Sequence, residues 1–310
     1  MADILSALKA LGKELSATRT EPEGDSVVKV LNAIAAELGS DAQDAAAISK
    51  AIQNIIPVTP DPEAAGMLAG IIDKSIVEVS NSEVTSIGAG VFQECTSLIS
   101  ADFPEVTSIG QSAFYGCISL TSVDFPEVTS MGSSAFSGCT SLAILDLPEV
   151  ASIGNNAFGG CTSLTSANFP EVTSIGTNAF SGCTSLTSAN FPEVTSIGPF
   201  AFSGCTSLAI LDLPEVASIG NNAFAGYSGS SSSGPYVIPA CTSLETLILR
   251  KNEVVTLGSG ALTGTPIASG TGYIYVPDDL VDSYKAAQNW STYAAQIKGI
   301  SELPAETAET

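Results

Sequence analysis

The sequence predicts an α+β protein: a solenoid of 22-residue units whose short parallel strands stack on one another, with a helical segment before them and a strand–helix cap after them. Three observations carry this expectation. The stretch CTSLTSANFPEVTSIG at 161–176 recurs letter for letter at 183–198. The seven cysteines, at 95, 117, 139, 161, 183, 205 and 241, are 22 residues apart five times and 36 apart once. Residues 137–160 and 203–226 differ only at Gly159 against Ala225, so a block of three units, 66 residues, is itself repeated. A unit this small cannot bury its own apolar side chains and must stack on its neighbours.

The first segment has a different chemistry. Ile4, Leu8, Leu11 and Leu15 share one face of a helix. After the polar linker TRTEPEGDS, with Asp25 or Ser26 as N-cap, Val27, Leu31, Ile34 and Leu38 repeat that spacing until Gly39. Ile48, Ile52 and Ile55 mark a third helix, which stops before Pro57. The 4-3-4 spacing suits a short coiled coil, and it suits equally three helices folded back as a bundle or an N-terminal cap. Residues 1–56 are therefore expected to form an anchoring or oligomerising segment, with 57–81 as linker and solenoid entry.

The solenoid is expected over 82–272. Five apolar columns recur with the period, headed by Leu98, Phe92, Ile87, Ala101 and Phe103. In SLAILDL, the residues Leu142, Leu145 and Leu147 fit L-x-x-L-x-L, the strand signature of leucine-rich repeats. Proline ends each such strand because it has no N–H for a ladder. EVTSIG then reads as a second short strand, and the Ala-Phe-x-Gly-Cys segment as a turn or one helical turn. The insertion YSGSSSSGPYVIPA, 227–240, reads as a flexible tolerated loop, with Tyr227, Tyr236 and Ile238 as the residues able to touch a partner. Residues 273–310 are expected as cap and acidic tail: one strand, a turn at Pro277–Asp278, and two short helices that bring Trp290 and Tyr293 over the last open strand.

Composition narrows the function. Net charge is −22 and there is no histidine, so nucleic acid would be repelled, and the commonest general base and metal ligand is missing. Between Lys74 and Arg250 every charged residue is Asp or Glu. No apolar run approaches the roughly 18 residues of a membrane span, so no membrane insertion is expected. In MADILSALKALGKEL, Lys9 and Lys13 interrupt any apolar core, so it does not read as a secretory signal peptide and the chain is expected to be made in the cytoplasm.

Several columns are candidates for chemistry. Cysteines 22 residues apart lack the close pairing of a zinc site, and parallel Cβ vectors suit disulfides poorly, so they are expected as small buried hydrophobes. The ladder of Glu83, Glu105, Glu127, Glu149, Glu171, Glu193 and Glu215 is expected as a solvated edge, with one carboxylate per layer too thin for calcium. No cofactor or metal is expected, and no nucleophile–base pair stands out, so the chain is not expected to be an enzyme. The outward positions of the Leu-bearing strand are the binding candidates: Ser122 and Asp124, Ile144 and Asp146, Ser166 and Asn168, Ser188 and Asn190, Ile210 and Asp212. They form a flat, weakly acidic surface with two exposed isoleucines, suited to a cell-surface protein or carbohydrate.

The recurring S-I-G-x-x-A-F-x-G-C-x-S-L-x-x-x-D-F-P resembles the BspA-like leucine-rich repeat family over about residues 82–300. In that family the Leu-bearing strand lines the concave face. The resemblance implies a non-catalytic, surface-associated protein of a bacterium, a protist or one of their viruses, used for adhesion or protein binding. The tail 273–300 resembles the terminal cap of such proteins, and the N-terminal helices resemble the anchoring segments of phage head fibres. With no export signal read, the expectation is a virion appendage, docked to a capsid protein or self-associated through the N-terminal helices. The alternative is a cell-surface adhesin.

Overall fold

The computed structural model describes residues 74–82, 84–231 and 234–305. The chain divides into two compact units, Met1–Val79 and Ser80–Thr310, and the second holds the repeats. The expected helices over 1–56 lie outside the described residues. Helix within them is limited to Pro266–Ser269, Val281–Ala286 and short 3-10 turns. What stands described is a β-solenoid of leucine-rich repeats; the helical part of the expected α+β fold falls outside the described residues.

Each turn contributes to three runs of inter-turn hydrogen bonds. The first ladder consists of the Leu-bearing strands: Ser100–Asp102, Ser122–Asp124, Ile144–Asp146, Ser166–Asn168, Ser188–Asn190 and Ile210–Leu213, then Thr246–Leu249 and Tyr273–Val276. All pairings are parallel and in register, so Ser166 faces Ser188 and Asp102 faces Asp124. The second ladder is made of two-residue strands such as Ser152–Ile153, Ser174–Ile175 and Ser196–Ile197. The third run lies in the turns, where Phe158 N donates to Ala179 O and Phe180 N to Ala201 O, both at 2.8 Å.

The first ladder is not continuous. It breaks between Asp124 and Ile144 and again between Asn190 and Ile210. Each seam falls where a Ser-x-Asp or Ser-x-Asn strand meets Ile-Leu-Asp, so the three strands from 144 to 190 form one sheet. The repeated three-unit block of the sequence thus reappears as a three-strand sheet. Val123 and Ala189, the central residues just before each seam, are half-buried, whereas Leu145, Ala167 and Leu211 are buried.

The core is as periodic as the sequence. The rings of Phe92, Phe114, Phe136, Phe158, Phe180, Phe202 and Phe224 pile up with centroids 5.0–5.7 Å apart and near-parallel planes. Two further buried columns carry no leucine-rich signature. Val106, Val128, Val150, Val172, Val194 and Val216 follow the Pro-Glu of each turn, and Ala113, Ala135, Ala157, Ala179, Ala201 and Ala223 precede the phenylalanines. Turns approach so closely that a Cβ on Gly198 would sit 2.6 Å from the carbonyl carbon of Gly176. That clearance is why glycine follows the apolar residue of each two-residue strand, Ile in most units and Met131 or Leu257 in two.

Two expectations need correction. The insertion is a β-hairpin, with Tyr227–Ser231 antiparallel to Gly234–Ile238. Its Ser/Gly composition reads as a linker, but Tyr236, Val237 and Ile238 on the return strand are strand-favouring residues, with Tyr236 and Ile238 on one face and Val237 on the other. The cap holds a second strand, Ile297–Gly299, parallel to Tyr273–Val276 and extending the first ladder. Trp290 is fully buried as expected, and so is Tyr284, which stacks edge-on against it at 5.3 Å.

Those side chains close the second ladder. This ladder is interrupted once, between Met131 and Ile153, and elsewhere the carbonyls at the Thr and Ile positions accept N–H groups of the next turn, as Thr173 O does from Thr195 N and Ile175 O from Gly198 N. At the last turn the equivalent carbonyls, Val255 O and Leu257 O, accept instead from Trp290 Nε1 and Asn289 Nδ2, each at 2.6 Å. The Tyr284 hydroxyl adds two bonds, accepting from Val255 N and donating to Glu253 O. The open end of a stacked sheet is thereby covered without another strand.

Candidate binding face

The outward side chains of the first ladder present the expected face, though not uniformly. Ser122, Asp124, Ile144, Asp146, Asn168, Ser188 and Asn190 are exposed, and Ser166 is half-buried. Ile144 is 69% exposed, a bare apolar side chain beside two carboxylates. Asn190 Nδ2 donates to Asn168 Oδ1 at 2.9 Å, which orients both amides along the stack.

The last pair departs from expectation. Ile210 is half-buried beside Thr246, its register partner across the insertion. Asp212 is gripped by Arg250, whose Nε and Nη2 reach its carboxylate at 2.6–3.0 Å. Both side chains are 38% exposed, so the fork contributes about 1 kcal/mol or less, but it removes one negative charge from the face. The face therefore divides. At one end Asp102, Asp124 and Asp146 are exposed with no basic side chain beside them among the described residues; at the other end stand the amides and the paired Asp212. Arg250 was not legible as part of this face, because its register is set only once the insertion is known to leave the plane of the repeats.

The other columns are structural. All seven cysteines are buried and unbridged. Each thiol from Cys117 onward donates to a phenylalanine carbonyl of the preceding turn, as Cys161 Sγ does to Phe136 O at 3.2 Å and Cys241 Sγ to Phe202 O at 2.8 Å. Burial pushes the Cys161 thiol up to about 12 and holds Cys139, Cys183 and Cys205 well above the ordinary range. Such thiols are poor nucleophiles and poor metal ligands. Threonine hydroxyls at the corners do similar work, Thr187 Oγ1 donating to Thr165 O and Thr195 Oγ1 to Thr173 O.

The glutamates from Glu105 to Glu215 are exposed, while Glu83 lies outside the described residues. Among the described residues no group of three His, Cys, Asp or Glu is arranged to hold a metal ion, and no helix is long and apolar enough to cross a membrane. The expected anchoring residues Ile4, Leu8, Leu11, Leu15, Val27, Leu31, Ile34 and Leu38 lie outside the described residues.

Comparison with known proteins bears on the repeats. Residues 74–185, 145–235 and 173–278 match the BspA type leucine rich repeat region, in six copies. Among solved structures the chain is similar to a leucine rich cell surface protein from Faecalibacterium prausnitzii, at 25% identity over 65% of this chain and 69% of that one, with a TM-score of 0.48. It is also similar to the leucine rich repeat protein of T. pallidum, at 24% identity over 61% and 76% of the two chains, TM-score 0.40. A third is a leucine-rich repeat protein from Bacteroides ovatus, at 19% identity over 72% and 92%, TM-score 0.31. No curated protein sequence matches. Repeat scaffolds of this kind are typically non-catalytic. With two thirds of its length inside the matched region, the chain belongs to the BspA type leucine-rich repeat family.

Proposed function

We propose that this chain is a cell-surface adhesin whose first-ladder face makes weak, repeated contacts with a protein or carbohydrate of an opposing surface. The observation that carries this reading is the face itself. Ser, Asp and Asn recur turn after turn along the ladder beside the bare Ile144, and among the described residues nothing converges on a point where a bond could be broken. Shallow sites repeated along a rigid stack gain strength by avidity. Family membership points the same way. The virion setting expected from residues 1–56 gains nothing from the family or its relatives, which favour the alternative of a cell surface.

The test is surface labelling of intact cells that make the protein, with an antibody to the repeat block, before and after shaving with protease. The expected outcome is labelling that shaving removes. Signal confined to sedimentable particles at a fixed ratio to a capsid protein would sink the cell-surface reading and revive the virion one. Beads coated with the full chain should also adhere less when Ile144→Asp and Asp146→Lys are introduced together.

A further inference from the structure

The hairpin insertion is docked on the stack. Tyr227, Gly229, Tyr236 and Ile238 share its inner face by strand alternation and register. The Tyr227 ring meets Phe200 edge-on at 5.1 Å and its hydroxyl lies 3.4 Å from Ser181 Oγ. Tyr236 packs over Gly229 and, at 6.0 Å, against Tyr227. Phe200 itself is out of pattern. It has φ +55°, at a left-handed position that other turns fill with Ser112, Ser134, Asn156, Asn178 and Asn222. A bulky residue there is strained, and its contact with Tyr227 holds it.

Ser228 and its register partner Val237 are exposed, Val237 to 75%. Among the described residues the sheet has two strands, a size that is marginal by itself in water. Exposed edges are ordinarily blunted by charge or proline. Gly234–Ile238 has Pro235, which lacks an N–H; Tyr227–Ser231 has neither device. The surroundings are neutral as well. Residues 216–244 hold no charged side chain, the longest such run in the repeat block of a chain with net charge −22. Two copies repel through most of the repeat block and least here.

We propose that the Tyr227–Ser231 edge pairs antiparallel with the same edge of a second copy of this chain, Ser228 opposite its own counterpart, giving a four-stranded sheet across a twofold axis. One open edge and one blocked edge on the hairpin make the contact self-complementary and closed, a dimer and not a filament. Pairing two scaffolds also doubles the face available for avidity.

The test is the mass of the full chain by light scattering across a dilution series, with Ser228→Asp and Ser228→Cys beside the parent. The parent is expected to approach twice its 31.4 kDa when concentrated and to return to 31.4 kDa on dilution, with tighter pairing at higher salt. Ser228→Asp sets like charges across the axis and should weaken pairing at least tenfold, with the thermal midpoint unchanged because Ser228 is exposed. Ser228→Cys should cross-link on mild oxidation, since the seven native thiols are buried. A parent that stays monomeric throughout overturns the proposal. So does a dimer that keeps its affinity in Ser228→Asp, or one that Ser228→Cys fails to cross-link, since either places the contact elsewhere, residues 1–56 included.

Discussion

In the middle of the stack, Thr173 O and Ile175 O are satisfied by backbone N–H groups of the next turn; at its C-terminal end, Val255 O and Leu257 O are satisfied by the side chains of Trp290 and Asn289. The first solution is generic, because any copy of the unit supplies the same donors. The second is singular, because two particular side chains must reach two particular carbonyls. Sequence repetition is therefore tolerated and even copied in blocks along the stack, whereas the cap admits little change.

The largest effect is expected where the singular solution is removed. Trp290→Ala leaves a cavity and an orphaned Val255 carbonyl, and should cost about 3–5 kcal/mol in urea unfolding. Hydrogen exchange in that variant should rise first at Thr256–Leu257 and fade toward the middle turns; a uniform rise would show that the cap does not act as an end-piece.

Next comes a change in the generic region. Cys161→Ala leaves Phe136 O without its thiol donor and opens a small cavity, for about 1–3 kcal/mol. Cys161→Ser, which keeps a donor, should lose less. Equal losses would show that thiol volume alone matters.

The same column predicts an alkaline limit. Cys139, Cys183 and Cys205 titrate well above the ordinary value of 9.0, and Cys161 near 12. The folded state therefore holds protons that the unfolded chain has already released. Their contribution is complete below about pH 9 and is lost as pH rises toward 12. Burial raises Tyr284 in the cap in the same direction. Unfolding midpoints followed from pH 8 to 12 should fall in the parent and fall less steeply when several column cysteines are replaced by serine.

The smallest effect is expected at the half-exposed fork. Arg250→Ala should change stability by no more than about 1 kcal/mol, and less in high salt. Its consequence lies in the face, since freeing Asp212 extends the acidic end across the neutral one. Bead adhesion that responds to Arg250→Ala would place the contact at the C-terminal half, and indifference would place it around Ile144.

Much of this was readable in advance, for reasons visible in particular residues. A column such as Leu98 to Leu244 announces burial because the period aligns it, and the outward Ser, Asp and Asn positions follow from strand alternation. The buried valine of each Pro-Glu-Val was missed because EVTSIG reads as one continuous strand, whereas the chain bends at the valine and only the Ser–Ile pair joins the ladder. The hairpin was missed because a Ser/Gly run looks the same whether or not its flanking Tyr and Ile find a surface. Phe200 carried a signal, as the one aromatic in a Ser/Asn column, but its meaning depends on Tyr227 being overhead.

By itself the sequence determined the period, the parallel stack, the buried columns and the chemistry of the outward face, because identical units can bury their apolar residues only against one another. Only the tertiary structure decided the seams between three-strand sheets, the Arg250–Asp212 fork, the docked hairpin and the side chains that end the ladder. Each of those depends on residues that the repeat does not place, and their partners are set by distance in space and not by spacing along the chain.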